Sequence, residues 1–188
     1  MDIPKYQIQE LQREIQDKSS MLYTIVERYV GTYCSDLDSY MKRIQNKLEE
    51  RGADLSDYEL EEITLKLPQY MYWATQGQEY LNIKEEVAKA IKNEKFIATV
   101  ESLESGSVGL KNKKGDNETL MESLVQYLYG YSSKIIKGKI SYATEMLQSV
   151  KKIISKRMAV SEYSNTVFRD RQDNTVIRTD RRKERDRF

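Results

Sequence analysis

Apolar residues recur at steps of three, four and seven from Ile3 to Arg51, and only two prolines and eight glycines are spread through 188 residues to interrupt such patterns. A periodicity near 3.6 sustained over this length fits a helix and no strand, because a strand would demand alternation. The class that follows is all-α. A composition rich in Lys, Glu, Ile, Leu and Gln agrees with it.

The punctuation places the elements. Pro4 suits a first turn, Gly52 suits the left-handed position just past a last turn, and Gly31 marks a point where the first helix bends or divides. Ser56 and Glu59 have capping-box spacing, so a short helix is predicted from about Asp57 to Leu67. Pro68 then opens a longer helix whose apolar set is Met71, Trp73, Ala74, Tyr80, Ile83, Val87, Ile91, Phe96 and Val100. The stretch "SGSVGLKNKKGDN" reads as a loop, Asp116 or Asn117 caps the next helix, and that helix runs to about Val160. The predicted architecture is a long antiparallel helical hairpin (53–160), a long N-terminal helix packed along it (1–52), and an extended charged tail (161–188). Helices this long leave apolar surface uncovered in a single copy, so a homo-oligomer is expected.

The tail repeats itself: "NTVFR" at Asn165–Arg169 returns as "NTVIR" at Asn174–Arg178. Its polar, mixed-charge composition reads as disordered until a partner orders it, and a hairpin of the two β-branched pieces is the other reading. Val167, Phe168, Arg169, Val176, Ile177 and Arg178 are the candidate partner-binding residues.

Several function classes lose their basis. There is no His, no Gly-rich phosphate loop and a single cysteine, so the commonest general base, metal sites and disulfides are missing; neither catalysis nor a cofactor is expected. Cys34 reads as a small buried residue. The acidic runs at Glu59–Glu62 and up to Glu86 read as solvated helix faces rather than metal sites. With no apolar run of membrane-spanning length and no leader-like N-terminus, the chain is expected to be soluble and intracellular, without a membrane partner.

Charge is what remains, and it is polarised. Residues 1–66 carry nine basic and fourteen acidic groups (net −5), residues 134–160 carry seven and one (net +6), and the total is only +1. The seven cations are Lys134, Lys137, Lys139, Lys151, Lys152, Lys156 and Arg157. A basic helix of this length matches a phosphate backbone, the acidic first helix or a neighbouring subunit, or an anionic membrane surface. Tyr127, Tyr129 and Tyr131 precede it and point in different directions on a helix, which leaves Tyr131 as a candidate stacking platform beside ordinary packing roles.

"LKLPQYMYWATQGQEYLNIKEEVAKAIKNEKF" (Leu65–Phe96), a Gly-rich break, and "NETLMESLVQYLYGYSSKIIKGKISYATEMLQSVKKIISKR" together resemble the UvsY-type recombination mediators of bacteriophages over roughly residues 57–160. The resemblance implies an oligomeric, helical, non-enzymatic protein that binds single-stranded DNA and helps a strand-exchange recombinase displace single-strand-binding protein in the host cytoplasm. Where family members carry basic residues near the end of the first long helix, this chain has Phe96 and Ala98, with Lys92 and Lys95 nearby. Phosphate contact then rests on Lys134–Arg157. The competing expectation is a phage structural or assembly protein, a virion component or scaffold, whose basic helix and tail dock onto protein.

Overall fold

The computed structural model describes the backbone of residues 5–103 and 107–185, and the side chains of 10, 13–52, 54–103 and 107–163. The described residues form α1 (Lys5–Arg51), a single 3-10 turn (Gly52–Asp54), α2 (Asp57–Glu101), α3 (Val108–Glu118) and α4 (Leu120–Arg185). The all-α class holds.

Pairs between helices show how they run. Ser133 Oγ donates to Asn82 Oδ1 at 2.5 Å, Lys95 Nζ to Glu122 Oε1 at 2.8 Å and Arg157 Nη1 to Asp57 Oδ1 at 2.6 Å. As the α2 partner moves up the chain the α4 partner moves down, so the two are antiparallel along nearly the whole of α2. Tyr29 meets Tyr129 at 5.4 Å between ring centroids, and Lys139 Nζ reaches Asp38 Oδ2 at 2.6 Å, so α1 lies parallel to α4. The result is the hairpin with the first helix laid along it.

The predicted caps at the first corner are present. Gly52 has φ 48°, the left-handed region in which a glycine carries no steric cost. Ser56 Oγ accepts from the Glu59 backbone N–H at 3.3 Å, and the Ser56 N–H donates to Glu59 Oε2 at 3.0 Å, closing the capping box.

Five expectations change. Asp116 and Asn117 do not cap the last helix, for both lie inside α3, and α4 begins at Leu120. Gly31 does not divide α1, which is one helix of 47 residues. Pro68 does not start a helix but lies inside α2, because Leu60, Ile63 and Leu67 before it and Ala74 after it are buried on one continuous face. That packing outweighs the roughly 3 kcal/mol that an interior proline costs. The supposed loop is helical from Val108: Ser107 Oγ accepts from the Leu110 N–H, and α3 follows through Gly109 and Gly115. Gly115 is needed there, since a Cβ would stand 2.6 Å from Phe96 Cε2. Finally, α4 does not stop near Val160 but continues to Arg185, with no Gly or Pro after Lys139 to end it.

The inner face of α2 also differs from the set chosen by periodicity. Leu60, Leu67, Ala74, Gly77, Leu81 and Ala88 face the core, together with Leu37, Ile44, Ile136 and Val150, whereas Trp73, Tyr80, Ile83, Val87 and Ile91 are exposed. Small residues inside let α1 and α4 approach closely. Ile15 and Met21 are exposed too, so the N-terminal part of α1 lies outside the packed seam.

Gly77 marks the tightest approach, for a Cβ there would sit 2.3 Å from Tyr33 Cγ, whereas one at Gly31 meets nothing within 4 Å. Gly31→Ala is expected to stabilise by about 0.5–1 kcal/mol through helix propensity alone. Gly77→Ala should go the opposite way by about 1–3 kcal/mol, because the ring is struck at its base and cannot swing clear. Urea unfolding of the two variants checks the opposed signs.

Candidate nucleic-acid interface

Eighteen residues make five full turns of helix, so residues that far apart lie on one line. Lys134 and Lys152 define one such line on α4, and Lys139 and Arg157 define another about 140° around the cylinder. The lines meet different surroundings.

Lys139 and Arg157 are half-buried at the edge of the core and bind Asp38 of α1 and Asp57 of α2, each at 2.6 Å. For these two, pairing within the chain is the observed role. Lys134, Lys137, Lys151, Lys152 and Lys156 are exposed and have no ion-pair partner among the described residues. All five cluster around the first line, on the side of α4 away from buried Ile136, Ala143 and Val150. They form two groups, Lys134 with Lys137 and Lys151 with Lys152 and Lys156. About 21 Å of helix separates the groups, a stretch that presents Ser141, Glu145 and Gln148.

The tyrosines divide as their helical positions require. Tyr129 turns inward against Tyr29 and Lys84, while Tyr127 and Tyr131, one turn apart, stack outside at 5.8 Å with ring planes 9° from parallel. Tyr131 is therefore exposed, as a stacking platform must be, and it comes with a partner that sequence reasoning did not select. The signal was the four-residue step between Tyr127 and Tyr131. The same ring pair borders a cleft of about 250 Å³ whose rim also carries Lys134 and, from α2, Lys92 and Glu85. Lys92 thus joins the basic face across the helix boundary. Gly130 also lines the cleft, and the Glu85 carboxylate lies against it, 2.6 Å from where a Cβ would stand.

Other charged groups are committed elsewhere. Glu59 is held down to about 2 by the Ser56 backbone N–H first, then by the Ser56 hydroxyl, with Lys47 and Arg51 adding to the effect. The hydrogen bond from Lys95 likewise lowers Glu122. Burial pushes the Cys34 thiol up to about 11, which leaves it inert as a nucleophile at neutral pH. No three His, Cys, Asp or Glu side chains among the described residues are grouped to hold a metal, and no helix among them is long and apolar enough to cross a membrane.

The six tail candidates, Val167, Phe168, Arg169, Val176, Ile177 and Arg178, fall on the last turns of α4; their side chains lie outside the described residues.

No family model, curated protein or solved structure matches this sequence.

The Glu59 arrangement gives a pH dependence of known sign. A carboxyl held at about 2 in the folded chain against an ordinary 4.5 contributes stability above about pH 4.5, and loses it as the pH falls toward 2. Glu59→Ala should melt below wild type at pH 7, and the two should converge near pH 2. Circular dichroism melts at pH 7, 4.5 and 2 measure the gap.

Proposed function

We propose that this chain is a non-enzymatic, self-associating protein that binds single-stranded DNA along the outer face of α4. The observation that carries the reading is the sorting of the seven cations: the two beside acidic groups are paired, and the five turned away from the core are left to solvent. Phosphates are the natural complement of such a row, and each contact releases condensed counterions. The exposed Tyr127–Tyr131 stack adds a surface for bases that is indifferent to their identity. No base-edge reader is required, so binding follows charge and strand length rather than sequence.

The finer assignment, an accessory of phage recombination or replication that works beside a recombinase or a single-strand-binding protein in the host cytoplasm, rests on the resemblance to the UvsY-type mediators. The second reading, a phage assembly or virion protein, is favoured by one specific observation: the repeat at Asn165–Arg169 and Asn174–Arg178, whose even spacing suits a bivalent protein-docking segment.

Anisotropy of a labelled single-stranded oligonucleotide across a salt series separates the two. Five phosphate contacts on one strand give a log–log salt slope of about −3.5. Reversing two of them in Lys152→Glu/Lys156→Glu should reduce the slope to about −2 and weaken binding, with helix content unchanged. Lys139→Gln should leave the slope where it was. No binding at low salt, or equal binding by the double reversal, overturns the DNA reading and leaves the assembly reading in place.

A further inference from the structure

We propose that the outer face of α2 is a self-association surface and that a second copy of this chain docks on it antiparallel, α2 against α2. The inference deepens the self-association in the reading above and needs no nucleic acid.

Starting at Trp73, one face of α2 repeats at alternating steps of three and four for 25 residues, the spacing of a helix-to-helix seam. All of it is exposed, including Trp73 at 67%, Ile83 at 61%, Val87 at 52% and Ile97 at 54%. The opposite side of the helix already carries Leu60, Leu67, Ala74 and Leu81 in the core, so α2 is apolar on two sides while α1 and α4 cover one. A helix with two apolar sides is stable in water when both are covered.

The order of residues along the seam selects the occupant. Laid antiparallel with its centre between Ile83 and Val87, the seam matches itself. Ile83 faces Val87 of the second copy, bulky Tyr80 faces Ala90, and Trp73 faces Ile97. The only polar members, Gln76 and Glu94, then face each other, and the Gln76 amide can donate to the Glu94 carboxylate. The pairing occurs twice by the two-fold symmetry of an isologous contact. A parallel pairing in register instead sets Glu94 against Glu94 and Tyr80 against Tyr80, opposing like charges and bulk in the same seam. This self-match favours a second copy of the chain over an unrelated helix.

The test uses the full chain without nucleic acid. Wild type should sediment as a dimer at concentrations up to about 100 µM. Ile83→Glu/Val87→Glu should be a monomer with unchanged far-ultraviolet circular dichroism, because both side chains are already exposed. Gln76→Lys fixes the orientation: facing Glu94 it should tighten the dimer about fivefold, whereas in a parallel dimer the two introduced ammonium groups would oppose each other and loosen it. Cysteine cross-linking gives a second readout. Gln76→Cys and Glu94→Cys should cross-link to each other when mixed and neither to itself, while buried Cys34 stays out of the reaction. A monomeric wild type, a dimer that survives the double glutamate variant, or self-cross-linking of either cysteine variant overturns the proposal. Failure of the DNA reading would appear only in the anisotropy measurement and leaves all of these outcomes as they are.

Discussion

The contact on which the arrangement depends is the close approach of α1 and α4 to the small-residue side of α2. At Ala74, Gly77 and Ala88 α2 contributes nothing larger than a methyl group, and the Tyr33 ring of α1 packs into the space where a Cβ at Gly77 would be. Leucines at 60, 67 and 81 fill the seam between these narrow points, so a thin core still excludes water along three helices. Everything that gives the surface its character follows from that choice of face. With the small side inward, Trp73, Ile83 and Val87 are turned outward, and α4 is held in a register where two of its cations meet acids.

Register explains why one basic helix plays two parts. A five-residue step, from Lys134 to Lys139 or from Lys152 to Arg157, turns about 140° around the helix. It carries a cation from the solvent side to the edge of the core, where a carboxylate can reach it. Asp38 and Asp57 lie at those two edges, one from each neighbouring helix. The net +6 of residues 134–160 therefore overstates the charge available to a polyanion. What remains free is a row of five lysines, with Lys92 of α2 joining it at the tyrosine cleft.

Local chemistry was legible in the sequence where it is self-contained. The Ser56–Glu59 box and the turn at Gly52 each depend on a few consecutive residues, and both appear as read. The core side of α4 was legible as well, because Ile136, Ala143 and Val150 face a side that bears the lysines only at its edges. The inner side of α2 was not. Periodicity weighs a Trp or Ile above an Ala or Gly, and α2 has apolar residues on two sides, so the apolar set mixed the two: Ala74 is buried, while Trp73, Ile83 and Val87 face out. Pro68 misled for a related reason: its local cost reads as a helix start, while the burial on both sides that offsets it is a tertiary fact. The Gly-rich stretch before α4 is a third case, since α3 depends on Phe96, nineteen residues before Gly115, to make its glycine useful.

The two outward surfaces bear on each other through their positions. Within one chain the free lysines lie on the side of α4 away from buried Ile136, Ala143 and Val150, and the exposed seam lies on the side of α2 away from Ala74 and Leu81. A dimer closed on that seam would thus carry a lysine face on each of its two α4 helices, with the paired α2 helices between them. At the usual 8–10 Å between packed helices, the two faces would stand on the order of 30 Å apart. One short oligonucleotide could not touch both. A strand long enough to pass around the dimer could, and the second contact would then be intramolecular, with an effective concentration set by the length of strand between the two faces. Under this geometry the affinity of a dimer for single-stranded DNA rises with strand length beyond the footprint of one α4, whereas that of a monomer levels off once a single lysine row is filled.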